Sequence, residues 1–149
     1  MRNLIKNKKK KGFTLIEMVA VVAIIGILAA LLIPKVTGYM NEAKKTKVID
    51  QARKVVQAYE GAKMKGRDVT GITTVKSIDA ATGVNVDTQK FMRELITGNS
   101  TTNASTVITL LPEDTTIGQC YAINEGNKEF KLNGDALDIN SITGSIPTP

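Results

Sequence analysis

Residues 8–33 read KKKKGFTLIEMVAVVAIIGILAALLI. Four lysines and a glycine precede a long apolar segment, and Glu17 is the only charged residue between Phe13 and Ile33. A helix rises about 1.5 Å per residue, so this segment is long enough to cross a hydrocarbon core of roughly 30 Å. The lysine-rich flank should stay in the cytoplasm and the rest of the chain should be exported. We therefore expect a single membrane-spanning helix.

The carboxylate of Glu17 needs a physical reason, because charged groups in membrane helices are costly and usually functional. If proteolysis occurs between Gly12 and Phe13, a new α-amino group appears at Phe13. Residues i and i+4 share a helix face, so this amine and Glu17 would be neighbours in one chain. In a parallel bundle, Glu17 could equally pair with the Phe13 amine of the next chain. Since desolvation opposes such a pair, we expect it to set the register while the apolar surface supplies affinity.

Residues 11–18, KGFTLIEM, resemble the leader and processing motif of the type IV pilin family. The resemblance implies that Gly12 occupies the cleavage position of a dedicated prepilin peptidase. It also implies that Phe13 becomes the N-methylated first residue and that Glu17 is the assembly carboxylate. The resemblance covers about the first 40 residues, and the remainder matches only in general layout.

Gly26 and Pro34 also match the family pattern, and the apolar periodicity continues beyond Pro34. Pro34 should therefore kink a helix rather than end it. We expect one helix from Phe13 to near Lys65, apolar all round in its first half and amphipathic in its second, with Gly66 marking its end. Helical hydrogen bonding is weakened between Gly26 and Pro34, so this stretch could unwind inside a filament. Close helix packing explains Gly26 equally well.

The C-terminal region predicts a small antiparallel sheet. Residues 115–124 and 128–132 predict two strands joined by a turn at Glu125-Gly126-Asn127, and residues 137–142 predict a third strand. Packed on the amphipathic half of the long helix, this sheet gives an α+β fold, the pilin type that the resemblance implies. The predicted organisation is a leader (1–12), a transmembrane and assembly helix (13–34), an amphipathic helix (35–66) and a globular region (67–149).

A shorter helix precedes the predicted strands. Residues 87–96 have the pattern of a short helix, with Asp87 as the N-cap and Gly98 just past the end. The stretch before it, residues 70–85, reads as a connecting loop with one short helical turn near residues 77–81.

The net charge of +6 is concentrated in the leader, which has six basic residues before Gly12 and no acidic one. Residues 13–67 carry nine basic and four acidic residues, whereas residues 68–149 carry five and ten. This distribution does not favour a nucleic-acid-binding role. It does allow attraction between the N-terminal part of one copy and the C-terminal part of another.

No catalytic set is visible, since the chain has no histidine, one cysteine and no glycine-rich phosphate loop. We therefore expect no enzyme activity, cofactor or metal. Cys120, placed in a predicted strand, is expected to be a buried small apolar residue. Asp135, Asp138 and Asn140 have a spacing that could bind calcium, but an ordinary polar turn is favoured.

The resemblance implies a subunit that polymerises with itself into a surface pilus used in adhesion, motility or biofilm formation. Its implied partners are the membrane, the prepilin peptidase and an assembly machine with an inner platform protein and a cytoplasmic ATPase. The subunit would cross the cytoplasmic membrane once before assembly and reach the cell surface afterwards.

Two alternatives stay open. One is a pseudopilin of a type II secretion or DNA-uptake system, and the other is a membrane-tethered extracellular binding domain that forms no polymer. The single cysteine departs from the common pilin pattern, in which two cysteines close the C-terminal region. This departure suggests a Gram-positive-type pilin.

Overall fold

A computed structural model describes residues 12–80, 85–126, 129–143 and 146–148. The chain forms two compact units, Met1–Met40 and Asn41–Pro149. We call residues 12–40 the N-terminal segment and the second unit the head. The first helix, α1 (Leu15–Met64), contributes residues to both.

In the N-terminal segment, α1 presents apolar side chains to the surroundings on every side. Phe13 is 86% exposed and Val22 is 65% exposed. The helix is long and apolar enough to cross a membrane, and none of its most apolar stretch is buried. It continues through Pro34, as the sequence predicts. The hydroxyl of Thr37 donates to the Pro34 carbonyl at 2.9 Å.

The C-terminal end of α1 is closed by a Schellman motif. Gly66 adopts a left-handed conformation with φ of 66°. Its N–H donates to the Lys63 carbonyl at 2.9 Å, and the N–H of Arg67 donates to the Ala62 carbonyl at 3.0 Å. These bonds satisfy two carbonyls that the helix end would leave unpaired. The long helix predicted from Phe13 to near Lys65, with Gly66 at its end, is confirmed.

One face of α1 builds the core of the head. The face repeats near the helical period and consists of Val48, Ala52, Val55, Val56, Ala58, Tyr59 and Ala62. It belongs to one apolar cluster with residues from the rest of the head, including Ile78, Met92, Ile108, Ile117, Ile123, Phe130 and Leu137. The amphipathic character predicted for this half of the helix is confirmed.

The remaining elements of the head are short. They are α2 (Val75–Asp79), α3 (Val86–Thr97), α4 (Ile117–Asn124), β1 (Leu132–Asn133) and β2 (Ala136–Leu137). The two strands are antiparallel, with Leu132 opposite Leu137 and Asn133 opposite Ala136. Two single 3₁₀ turns lie at Ala104–Thr106 and Ile139–Ser141. The predicted α+β class, a long helix with a small antiparallel sheet, is confirmed.

The strand predicted over residues 115–124 is wrong, because most of this stretch forms α4. Its start carries a capping box in which Gln119 N–H donates to Thr116 Oγ1 at 3.1 Å and Thr116 N–H donates to Gln119 Oε1 at 2.8 Å. This reciprocal pair satisfies two backbone N–H groups at the helix N-terminus, so a helix forms despite the β-branched residues nearby.

The sheet is also smaller than predicted. The turn of the sheet lies at Gly134-Asp135 and not at the predicted residues 125–127. Residues 127 and 128 lie outside the described residues. The third predicted strand is wrong, since residues 139–141 form a 3₁₀ turn. In α3, Asn85 is the N-cap in place of Asp87, whereas Gly98 closes the helix as predicted, with φ of 78°.

Candidate functional site

The first turn of α1 brings Thr14 and Glu17 together in a capping box. The N–H and the hydroxyl of Thr14 both donate to Glu17 Oε2, each at 2.7 Å. The N–H of Glu17 donates in return to Thr14 Oγ1 at 3.3 Å. Thr14 is therefore the N-cap of α1, and Glu17 is the third residue of the helix.

This arrangement places the carboxylate where a helix tolerates it best. Negative charge is favourable at a helix N-terminus because the unpaired N–H groups carry partial positive charge. Two hydrogen bonds from Thr14 also replace part of the hydration that an apolar environment would remove. Sequence reasoning missed the role of Thr14, although Thr-x-x-Glu before an apolar run is a recognisable capping signature.

Gly12 and Phe13 lie just before the helix, at the bond that the sequence predicts to be cut. Both are exposed, and nothing lies within 4 Å of the position that a Cβ on Gly12 would take. With the Gly12–Phe13 bond intact, Phe13 carries an amide nitrogen, and Glu17 is engaged by Thr14. The predicted pair between Glu17 and the Phe13 amine concerns the processed chain, in which that amine exists.

Gly26 and Pro34 both lie inside α1. Nothing lies within 4 Å of a Cβ built on Gly26, so no contact within the described chain requires a glycine there. Pro34 has no backbone N–H, which leaves the carbonyl of Ala30 without its helical donor. The structure thus places both residues in the exposed apolar stretch, where a neighbouring helix could approach Gly26 closely.

The residues considered for calcium serve the turn itself. Lys44 Nζ lies 2.7 Å from Asp135 Oδ1, and this ammonium group holds the pKa of Asp135 below its ordinary value by hydrogen bonding and by charge. Asp138 Oδ1 accepts the N–H of Asn140 at 3.1 Å, which caps the turn at residues 139–141.

Cys120 lies in α4, not in a strand, and its side chain is buried. Burial raises the pKa of its thiol to about 12, so the reactive thiolate is scarce at neutral pH. Its predicted character as a buried small apolar residue is confirmed.

The N-terminal sequence, including the processing motif, is similar to that of known proteins. Residues 7–33 match the prokaryotic N-terminal methylation motif. The chain is also 41% identical over 69 residues to a fimbrial protein of Pseudomonas aeruginosa, covering 46% of this chain and 45% of that protein. It is 38% identical over 78 residues to the type IV major fimbrial protein FimA of Dichelobacter nodosus, covering 50% of each.

A third relative is the type IV major alpha-pilin of Moraxella bovis, which is 40% identical over 58 residues, or 39% of this chain and 36% of that protein. The chain thus spans about half or less of the length of these relatives. No solved structure matches. The chain is therefore similar to type IV pilins, and its long helix with a small antiparallel sheet is consistent with the type IV pilin fold.

Proposed function

We propose that this chain is a prepilin, the precursor of a structural subunit that polymerises into a type IV pilus. The observation that carries the proposal is the match of residues 7–33 to the methylation motif, on a helix whose apolar surface is exposed. Such a surface needs lipid around it before assembly and other apolar helices afterwards. A structural subunit, not an enzyme, fits this requirement.

Processing gives the carboxylate of the capping box a role in assembly. Cleavage after Gly12 turns the Phe13 amide into an amine that is protonated at neutral pH and stays so after N-methylation. This cation attracts the Glu17 carboxylate, which Thr14 holds in place before cleavage. In an apolar environment the ion pair sets the stagger of neighbouring helices, while its net energy is limited by desolvation.

Extraction from the membrane exchanges lipid contacts for helix contacts. Lipid tails are as apolar as leucine side chains, so no hydrophobic driving force favours the exchange, and close packing must supply the affinity. An energy source is therefore needed, and this is the role of the platform protein and ATPase. The weakened stretch between Gly26 and Pro34 would unwind as the helix adapts to the filament.

The proposed organisation follows the processing. Residues 1–12 are a leader that keeps the N-terminus in the cytoplasm, residues 13–34 anchor the subunit and later fill the filament core, and the remaining residues lie outside. The names of the relatives support a pilus over a secretion or DNA-uptake filament. The Gram-positive-type assignment stays a prediction that rests on the single cysteine.

N-terminal sequencing and mass analysis of the protein from its host test the processing. We expect a mature chain that begins at a methylated Phe13. Gly12→Val should leave the precursor uncut in the membrane and abolish filaments, because a branched side chain blocks the close approach of the peptidase. A native protein that is uncut and monomeric would refute the proposal.

Glu17→Ala separates a filament subunit from a tethered binding domain. We expect the variant to stay in the membrane with a folded head but to lose filaments seen by electron microscopy. A tethered domain would function unchanged. Glu94→Ala, which removes an exposed carboxylate on α3, is the matched control and should assemble normally.

A further inference from the structure

The head half of α1 and the turn that follows it carry many charges that form few ion pairs with the rest of the head. Residues 41–67 contain eight basic and three acidic residues, and residues 68–149 contain five and ten. Among the residues that the structure describes, four ion pairs form: Lys44–Asp135, Lys45–Glu42, Lys54–Asp50 and Lys76–Glu113. Only the first joins α1 to the rest of the head. Most of this complementary charge thus remains available to another molecule.

The solvent-exposed side of α1 in the head is a narrow stripe that includes Thr46, Asp50 and Gln57. Lys65 follows the last residue of α1 and continues its pattern, since its N–H donates to the Gly61 carbonyl at 3.2 Å. At 100° per residue, Lys47 and Lys65 fall together on one flank of this stripe, and Glu42 and Glu60 fall together on the other. We call these the lysine pair and the glutamate pair. Lys47, Lys65 and Glu42 are exposed and Glu60 is half-buried, so both flanks can be reached by a neighbouring helix.

The two pairs have the same length. Lys47 and Lys65 are 18 residues apart, and so are Glu42 and Glu60, which is five helical turns or about 27 Å. Each lysine lies five residues after the corresponding glutamate. A second parallel helix displaced by five residues, about 7.5 Å, therefore brings both oppositely charged contacts into register at once.

Three of these four side chains are exposed, and Glu60 is half-buried. Lys47 and Lys65 are exposed, and the side chain of Glu42 is 74% exposed, with a 3.6 Å partner in Lys45. The hydroxyl of Tyr121 donates to Glu60 Oε1 and orients that carboxylate. Arg53 on the glutamate flank would come level with Ala58 of the neighbour, which is buried, so it meets no like charge there.

We propose that the lysine pair of one subunit contacts the glutamate pair of a parallel neighbouring subunit displaced by five residues along the helix. The occupant of this face is a second copy of the chain, and the inference rests on the proposed pilus subunit function. Because the two flanks differ, the contact is heterologous and repeats without closing, as a filament requires.

Thiol cross-linking of assembled full-length protein tests the register. The double variant Lys47→Cys/Glu42→Cys, treated with a short bismaleimide, should give a ladder of multimers, and Lys65→Cys/Glu60→Cys should do the same. Each single variant should give none, and Cys120 is buried and should not react. Lys65→Cys/Glu42→Cys, which has the wrong spacing, is the matched control.

Charge reversal provides a second readout without new thiols. Lys47→Glu or Glu42→Lys alone should lower filament yield about two- to fivefold, the range of an exposed ion pair. Combining both reversals should restore the yield, since every copy then carries the inverted pair. Lys90→Glu on α3 is the control and should assemble normally. Filaments without a ladder and without rescue overturn the inference alone, whereas absence of any native filament overturns the proposed function as well.

Discussion

The two parts of α1 share one secondary structure but differ in what surrounds them. In the N-terminal segment, Val22 is 65% exposed, whereas Val55 in the head is completely buried. The head part is amphipathic because its own chain covers one face. The N-terminal part is apolar all round because lipid or other helices must cover every face. Helical structure alone therefore does not show whether the faces of a helix are covered by its own chain or by other molecules.

Two of the capping boxes provide a second comparison. Thr116 and Gln119 open α4 with a neutral acceptor, while Thr14 and Glu17 open α1 with a charged one. Both satisfy the same backbone groups, so the glutamine would suffice for helix formation. In the proposed function, the glutamate adds a charge that attracts the Phe13 amine after processing, and we propose that this charge serves assembly.

Shortening a valine in each part of α1 should give the largest difference in head stability. Val55→Ala removes two buried methyl groups, so we expect a loss of about 2–3 kcal/mol from transfer and cavity terms. Val22→Ala should leave the unfolding of the head unchanged. Urea denaturation of the protein in detergent, followed by tyrosine fluorescence, measures both. An equal loss in the two variants would contradict the division into independent parts.

Glycine substitutions sharpen the same comparison. A Cβ on Gly118 would lie 2.9 Å from Ile146 Cγ2 and would overlap the carbonyl oxygen of Pro147. We therefore expect Gly118→Ala to cost about 1–2 kcal/mol and to release the C-terminal tail. Gly38→Ala, with nothing within 4 Å, should not affect the head. Denaturation and proteolysis of the tail report the two effects, and an intact, protease-resistant tail in Gly118→Ala would refute this packing.

Removing each threonine cap should have a smaller effect. Thr116→Ala breaks the box at α4 and should destabilise the head by about 1 kcal/mol. Thr14→Ala breaks the equivalent box at α1 without changing the thermal unfolding of the head. If Thr14→Ala destabilised the head as much as Thr116→Ala, the two parts of α1 would be coupled in folding.

The ion pair between Lys44 and Asp135 should give the smallest effect, and one that depends on pH. The lysine lowers the pKa of Asp135 in the folded state below its ordinary value of 3.8, so the unfolded state binds more protons in that range. The stabilisation is present above pH 3.8 and is lost as the pH falls through the folded-state pKa. The melting temperatures of Asp135→Asn and the unchanged protein should therefore converge at acidic pH. A difference that persisted would exclude the ion pair as its cause.

The long helix, its end at Gly66 and the processing motif could be predicted from sequence because each depends on local signals. Helical periodicity, a left-handed glycine and the short motif around Gly12 and Phe13 need no distant partner. The α+β class followed from the contrast between the long amphipathic helix and the short strand-like runs, separated by turn residues, in the C-terminal region. In α4, the capping signal indicated a helix while the β-branched residues indicated a strand. The strand was predicted, and this prediction is wrong.

The position of the small sheet depends on tertiary contacts. Its strands are two residues long, too short for any periodic signal. Leu137 N–H donates to the carbonyl of Leu110 at 2.8 Å, and Asp135 pairs with Lys44 on α1. Both partners are distant in sequence, so the position of the turn emerges only when the head packs. The sequence by itself determined the helix and its charged first turn, because these interactions span at most five residues, whereas contacts across the folded head placed the small sheet and its turn.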